Sequence, residues 1–214
     1  LLQQDLEAVY RWAEENNMLF NDTKFEALRY GTNQELKEST NYLSNNGTEI
    51  KVKDSTKDLG VTMSSSADFK KHIDSLVETV RDLSSWILRS FKSRSKLIML
   101  QLWKSIVIPR LDYCSQLWNP HQSNLITQLE DLQKAFIRNI YGFRHKSYWE
   151  ALKDLGLYSL QRRRERYQII YLWSILENQV PNIKSDGDVL IKVQSDANSR
   201  LGRTCLLYTS DAAD

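Results

Sequence analysis

The chain has 214 residues and a formal net charge of +2, with 41% apolar and 26% charged residues, seven Gly and three Pro. That length is ample for one packed domain or two small ones, and the composition is that of a globular chain, which excludes a disulfide miniprotein and a disordered, collagenous or repetitive one. No run approaches the roughly 18 uninterrupted apolar residues of a membrane span, and two Cys with three widely spaced His make neither a disulfide framework nor a four-ligand zinc site.

The small net charge is a sum of unlike regions. Residues 1–50 hold four Lys/Arg against nine Asp/Glu, 51–110 twelve against six, 111–185 ten against seven, and 186–214 three against five. Positive charge concentrated between Lys51 and Arg166 suits a polyanionic partner, and it equally suits solvated helix faces. The chain opens without Met and without a secretory leader pattern, so it is expected to be an interior piece of a longer polypeptide, working in an intracellular, reducing compartment.

Along the chain, Leu2, Leu6, Val9, Tyr10 and Ala13 recur at helical spacing, with Asp5 and Glu7 in the early turns where negative charge suits the dipole, predicting an amphipathic helix over 2–15. Residues 18–20 and 25–30, separated by Asn21-Asp22 and closed by Gly31, read as strand, turn, strand. Asn45-Asn46-Gly47 precedes the run 49–53, and 57–63 follows, so a small antiparallel sheet is expected. From residue 65 the pattern turns helical. Ser65 to Asp68 has capping-box form, ahead of an apolar stripe at Phe69, Ile73, Leu76, Val77, Val80, Leu83 and Ile87. Residues 97–108 are apolar on nearly every side, as in a buried central helix that Pro109 should kink or end.

A further helix carries Leu125, Leu129, Leu132, Phe136, Ile137 and Ile140 on one face, is supported by Glu130 four residues before Lys134, and stops at Gly142. Ser147 and Glu150 form a second capping box, opening a helix that ends near Gly156, and a last helix runs from Ser159 to about Asn178. The fold class expected is α+β, mostly α.

No metal-ligand cluster, phosphate loop, nucleophile elbow or His-Glu helix motif occurs in the sequence. Arg162, Arg163, Arg164 and Arg166 lie in the first turns of the last helix, where cations oppose the dipole. Either an anion such as nucleic-acid phosphate meets them, or their stems lie over Tyr167 and Trp149 or their charges pair with acids of other helices. A second basic group, Arg89, Lys92, Arg94 and Lys96, has Trp86 and Phe91 interleaved. Such a group can grip a backbone and stack on a base, although aromatics at helical spacing also suit a core. Trp12, Trp103, Trp118, Trp149 and Trp173 are assigned to packing, and His72, His121 and His145 are taken as ordinary polar residues.

The run Gln4-Asp5-Leu6 through Trp12, then Asn17 to Asn21 and Lys24-Phe25-Glu26 closing at Tyr30-Gly31, resembles non-LTR retrotransposon reverse transcriptases of the jockey-like kind, just after their catalytic Ala-Asp-Asp turn. Lys57-Asp58-Leu59-Gly60-Val61 with Phe69 and His72-Ile73 continues the match, as do Leu88 to Arg94, Pro109 to Trp118, and Ser159 to Tyr167. The resemblance covers residues 1 to about 204. It implies a palm remnant over 1–64, thumb-like helices over 65–145 and a C-terminal helical region over 146–204.

The resemblance also implies roles. Lys24 would assist the pyrophosphate leaving group, as a point charge suited to polyphosphate. Leu59, Gly60 and Val61 would form a primer-grip-like hairpin, and the helices would hold an RNA template and DNA primer, or an RNA–DNA hybrid, through phosphate contacts. The resemblance further implies the nucleus as the compartment, with the cytoplasm as the alternative, and, for the intact parent enzyme, two Mg²⁺ ions held by palm carboxylates. Those aspartates are expected upstream of Leu1, so this chain is expected to bind no cofactor and to lack polymerase activity alone. The alternatives are a catalytically inactive helical nucleic-acid-binding module and a nonfunctional transposon relic. Residues 205–214 read as the direct translation of TGT CTC TTA TAC ACA TCT GAC GCT GCC GAC, which resembles a sequencing-library adapter, and are expected to be a disordered, non-native tail.

Overall fold

The amphipathic stretch at the start of the chain forms helix α1, Leu2–Glu15, and buries Tyr10 and Ala13. The computed structural model describes residues 2–31, 41–177 and 179, together with the backbone of 193–194 and 205–206. The chain divides into two compact units, Leu1–Gln168 and Ile169–Asp214. After α1 the expected first strand does not form. Phe20 packs instead with Tyr10 and Phe25 in an aromatic trio, with ring centroids 5.4–5.7 Å apart, and Leu19 is left 95% exposed.

The expected antiparallel sheet is corrected to two separate two-stranded pairings. β1, Glu26–Leu28, runs parallel to β2, Lys51–Lys53, with Glu26 opposite Lys51. The two strands are separated by 22 residues of sequence, enough for the crossover that a parallel pair requires. β3, Ser55–Asp58, and β4, Val61–Ser64, form the antiparallel hairpin. Glu26 ties the two pairings together: it is ion-paired with Lys53 and accepts from Thr56 Oγ1 at 2.7 Å, and these contacts hold its carboxyl below the usual range.

The first long helix, α2, spans Lys70–Ser90. The expected Ser65-led capping box is not what opens it. Phe69 is the N-cap and makes no side-chain cap bond; Asp68, just before it, accepts the Lys70 backbone N–H at 3.0 Å and binds the Ser66 hydroxyl. The predicted buried helix over 97–108 runs past its expected end. It is α-helical at Lys96–Leu102 (α3), π-helical at Trp103–Val107, and α-helical again at Ile108–Asp112 (α4). The π-turn explains how Pro109 is accommodated. The Ile108 N–H bonds to the Trp103 carbonyl five residues back, and the widened turn relieves the clash that a proline ring makes in a regular helix.

Helix α5, Ser115–Trp118, follows Cys114 in the left-handed conformation, and the Trp118 indole donates to the Tyr113 carbonyl at 2.8 Å. Helix α6, Ser123–Ile137, buries the predicted stripe. The expected Glu130–Lys134 pair does not form. Lys134 pairs with Asp131 at 2.9 Å, while Glu130 turns inward and accepts from the Tyr148 hydroxyl and from the Gln161 backbone N–H at 2.6 Å. Burial and that carboxylate push the Tyr148 hydroxyl pKa far upward. Helix α7, Tyr148–Leu155, has both halves of the predicted capping box at Ser147 and Glu150, and ends on left-handed Gly156.

Helix α8 is Leu160–Leu176, so the expected extension to Asn178 falls outside the described residues. One apolar cluster of 22 buried side chains, from Val61 to Leu160, forms the core, centred on Trp103 against Phe136 with ring centroids 4.6 Å apart. Trp103 and Trp118 are core residues as expected. Trp12, Trp149 and Trp173 are not: each is more than half exposed.

In the second unit, the residues of α8 from Ile169 onward expose Ile169, Tyr171 and Trp173, and the backbones of Val193–Gln194 (β5) and Cys205–Leu206 (β6) pair antiparallel. The rest of the adapter-like stretch lies outside the described residues. No helix among the described residues is long and apolar enough to cross a membrane.

Candidate functional site

The Asp58–Val61 pairing leaves Leu59 and Gly60 as a two-residue loop, with φ of 44° and 91°. Two positive φ values are what a type I′ turn needs to match the twist of its strands. Gly60 adopts its conformation freely, whereas a Leu held there costs about 1–2 kcal/mol. Leu59 is also 83% exposed, so the tip of the hairpin is an outward-facing apolar side chain on a strained backbone.

The surroundings hold the strain in place. The Tyr113 hydroxyl donates to the Leu59 carbonyl at 2.7 Å, and a Cβ at Gly60 would stand 3.4 Å from the Tyr113 ring. The Thr62 backbone N–H donates to His72 Nδ1 at 3.4 Å, Lys71 Nζ donates to Ser55 Oγ at 3.2 Å, and Val61 is buried in the helical core. His72 is therefore more than an ordinary surface histidine. It is buried edge-on to Trp118, and burial, followed by the charge of Lys57, lowers its pKa. His121 and His145 are exposed.

Lys24 ends a short 3₁₀ turn, Asp22–Lys24. Asn21 Oδ1 accepts from the backbone N–H and hydroxyl of Thr23 at 3.1 and 2.6 Å, and Asp22 accepts from the Tyr10 hydroxyl at 2.9 Å. Lys24 itself is exposed and has no ionic partner among the described residues. The carboxylate set that a two-metal site needs is not formed by the described residues, in which no group of three or more His, Cys, Asp or Glu side chains converges. The residues present therefore do not fit the Mg²⁺ pair that the resemblance implies for the parent enzyme.

The two basic groups each divide. In the arginine run, Arg163 grips Asp112 of α4, through Nε at 2.9 and 2.8 Å and through its terminal nitrogen at 2.7 Å, and lies over Tyr167. Pairing with an acid of another helix, the alternative weighed against phosphate, describes Arg163. Arg164 is 1% exposed; its Nε donates to Asn119 Oδ1 at 2.9 Å, and its terminal nitrogens are buried without a partner among the described residues, so burial lowers its pKa. Arg162 and Arg166 are exposed, with Arg162 over the Tyr158 ring.

In the other group, Arg94 donates to the carbonyls of Leu88 and Phe91 at the end of α2, and Lys96 donates to the Asp154 carbonyl at 2.5 Å in the last turn of α7, both cations thus satisfying helix C-termini. Arg89 and Lys92 are exposed, as are Trp86 and Phe91 between them. Of eight candidate phosphate contacts, Arg89, Lys92, Arg162 and Arg166 remain without a hydrogen bond or ion pair from their side chains among the described residues. Tyr113 was not singled out by the sequence, because its hairpin partner lies 54 residues away.

Against known proteins, the chain is 26% identical over 144 residues to the RNA-directed DNA polymerase from mobile element jockey of Drosophila melanogaster. The match takes in 66% of this chain, and the chain spans 15% of the length of that curated relative. This bears out the resemblance read from the motifs: the chain is related to a jockey-like retrotransposon reverse transcriptase. No family model matches the chain, and no solved structure matches it.

Proposed function

We propose that the chain is the nucleic-acid-holding portion of an RNA-directed DNA polymerase of a mobile element. Leu59, Gly60 and Val61 present the primer-grip-like tip, and Arg89, Lys92, Arg162 and Arg166 contact phosphates of the RNA–DNA template–primer. Lys24 assists the pyrophosphate leaving group only in the intact enzyme. The observation that supports this reading is the hairpin tip, where an exposed Leu is in a left-handed conformation with its carbonyl held by Tyr113, within one of the motifs on which the resemblance rests. A stability-driven surface would place Gly or Asn there.

Binding of an RNA–DNA hybrid measured across salt concentrations tests the proposal. Wild type is expected to show a falling affinity, with a log–log slope reflecting several neutralised phosphates, and replacing both Arg162 and Arg166 by Ala should reduce that slope by about 2. Affinity independent of salt would overturn the reading. Primer extension with the purified chain and magnesium is expected to give no product, and template-dependent incorporation would show that the chain is active by itself.

A further inference from the structure

Beside the hairpin lies a pocket of about 480 Å³, lined by the hairpin, α2, the π-helical turn, α4 and Tyr113. Its lining includes two cations, Lys57 and Arg110, and no Asp or Glu side chain. Both side chains are exposed and neither makes a hydrogen bond or ion pair among the described residues. Leu76, Ile106 and the Tyr113 ring give the pocket an apolar, partly aromatic wall. Ser75 and Thr79, one turn apart on α2, add hydroxyls; the Thr79 proton is already donated to the Ser75 carbonyl at 2.9 Å, which leaves its oxygen as an acceptor.

Two cations, an apolar and partly aromatic wall and the hydroxyls of Ser75 and Thr79 in one lining match a small molecule that joins a phosphate to a planar ring. The volume lies within the range of small-ligand sites and is far below what a duplex occupies. We infer that this pocket receives a single nucleoside monophosphate unit. The phosphate sits between Lys57 and Arg110 and the base lies against Tyr113 and Ile106, whether the unit is a free nucleotide or one nucleotide unstacked from a strand. The inference deepens the nucleic-acid reading and rests on it for the identity of the strand, but the pocket chemistry stands apart from the exposed cations that would hold a duplex.

The test titrates the full chain, by isothermal calorimetry, with dTMP, thymidine, inorganic phosphate, a single-stranded oligonucleotide and a blunt duplex. Expected is binding of dTMP about tenfold or more tighter than either thymidine or inorganic phosphate, because both ends of the ligand are used. The single strand should compete with dTMP if the source is a strand, and fail to compete if only free nucleotide enters. Lys57→Gln with Arg110→Gln should weaken dTMP by about tenfold or more with an unchanged melting temperature, and Thr79→Trp, which fills the pocket from an exposed helix position, should abolish it. Equal binding of inorganic phosphate, undetectable binding of dTMP, or dTMP affinity unchanged in both variants would each overturn the inference. Duplex binding that persists while dTMP fails would remove the pocket and leave the proposed function. The converse would remove the proposed function and leave the pocket.

Discussion

The helical body and the strand-bearing stretch before it are held together by different means. Between Val61 and Leu160, 22 buried apolar side chains form one cluster. Before Val61 the buried apolar side chains among the described residues are Tyr10, Ala13 and Ile50, while Leu2, Val9, Trp12, Met18, Leu19 and Phe20 are 41–95% exposed. Polar ties do much of the joining there. Gln3 exchanges hydrogen bonds with the backbone of Leu43, Asn45 donates to Glu14 at 3.0 Å, and Glu26 bridges Lys53 and Thr56. Exposed ties of this kind contribute tenths of a kcal/mol to about 1 kcal/mol each, against about 1.5–3 kcal/mol for one fully buried large apolar side chain. The helical body therefore carries the stability. The hairpin belongs to the first region by chain position and to the second by packing, which is how a strained tip is kept rigid.

The largest expected effect is at the centre of the cluster. Phe136→Ala should lower the unfolding free energy by about 3–5 kcal/mol in a denaturant titration, because Trp103 and the walls of a close-packed core close only partly over the gap. Tyr10→Ala in the aromatic trio should cost far less, since Phe20 is already half open to water. Equal losses at the two positions would break the contrast between the regions.

Next is the link between α4 and α8. Asp112→Asn leaves the Arg163 guanidinium, held mostly by that carboxylate and raised in pKa chiefly by its hydrogen bonds, partly buried without a counter-charge. A loss of about 2 kcal/mol is expected, between the values for exposed and buried pairs. Hybrid binding should lose no salt dependence if Arg163 serves the fold, and a reduced slope would return Arg163 to the phosphate contacts.

Two changes at the hairpin should then move stability in opposite directions. Tyr113→Phe removes the hydroxyl bond to the Leu59 carbonyl and should lower the melting temperature slightly. Leu59→Gly relieves the left-handed strain and should gain about 1 kcal/mol in thermal melts, offset in part by the entropy of the unfolded Gly. If the tip touches primer, the same Leu59→Gly variant should bind an RNA–DNA hybrid less tightly while being more stable. Stability and binding that rise together would show the strain to be incidental.

Much of this architecture was legible because it is local. The stripe Leu125, Leu129, Leu132, Phe136 on α6, the Ser147–Glu150 box and the Gly156 cap each depend on residues within a turn or two, where spacing dictates contact. What escaped is long-range. Glu130 lies at the right spacing for Lys134, but burial beside Tyr148 offered it better donors, so a surface pairing rule lost to a tertiary one. The parallel β1–β2 register and the Tyr113–Leu59 strut join segments far apart in the chain, which no period reveals. In the arginine run, composition marked four equivalent cations, and the fold distinguishes them by helix face: Arg163 and Arg164 turn toward Asp112 and Asn119, Arg162 and Arg166 toward water.

The smallest expected effect, and the most selective for the hairpin's attachment, is the acid dependence of His72. Burial and Lys57 lower its pKa from 6.5. As pH falls, the unfolded chain takes up this proton near its ordinary value, whereas the folded chain does so only at lower pH. The unfolded state then binds more protons, and stability contributed by the neutral imidazole is present above about pH 6.5 and lost as pH falls through the folded value. Wild type should therefore lose stability from about pH 6.5 downward, before the carboxylates of Glu26, Asp68 and Asp154, all lowered from their ordinary range, begin to titrate. His72→Gln keeps a side-chain acceptor for the Thr62 N–H and cannot take up that proton, so its melting temperature should be flatter over the same interval. Parallel acid profiles for the two proteins would mean that water reaches the imidazole and protonates it freely. The Thr62–His72 contact would then not be one of the fastenings that hold Leu59 outward, leaving Tyr113 and the burial of Val61 to do so.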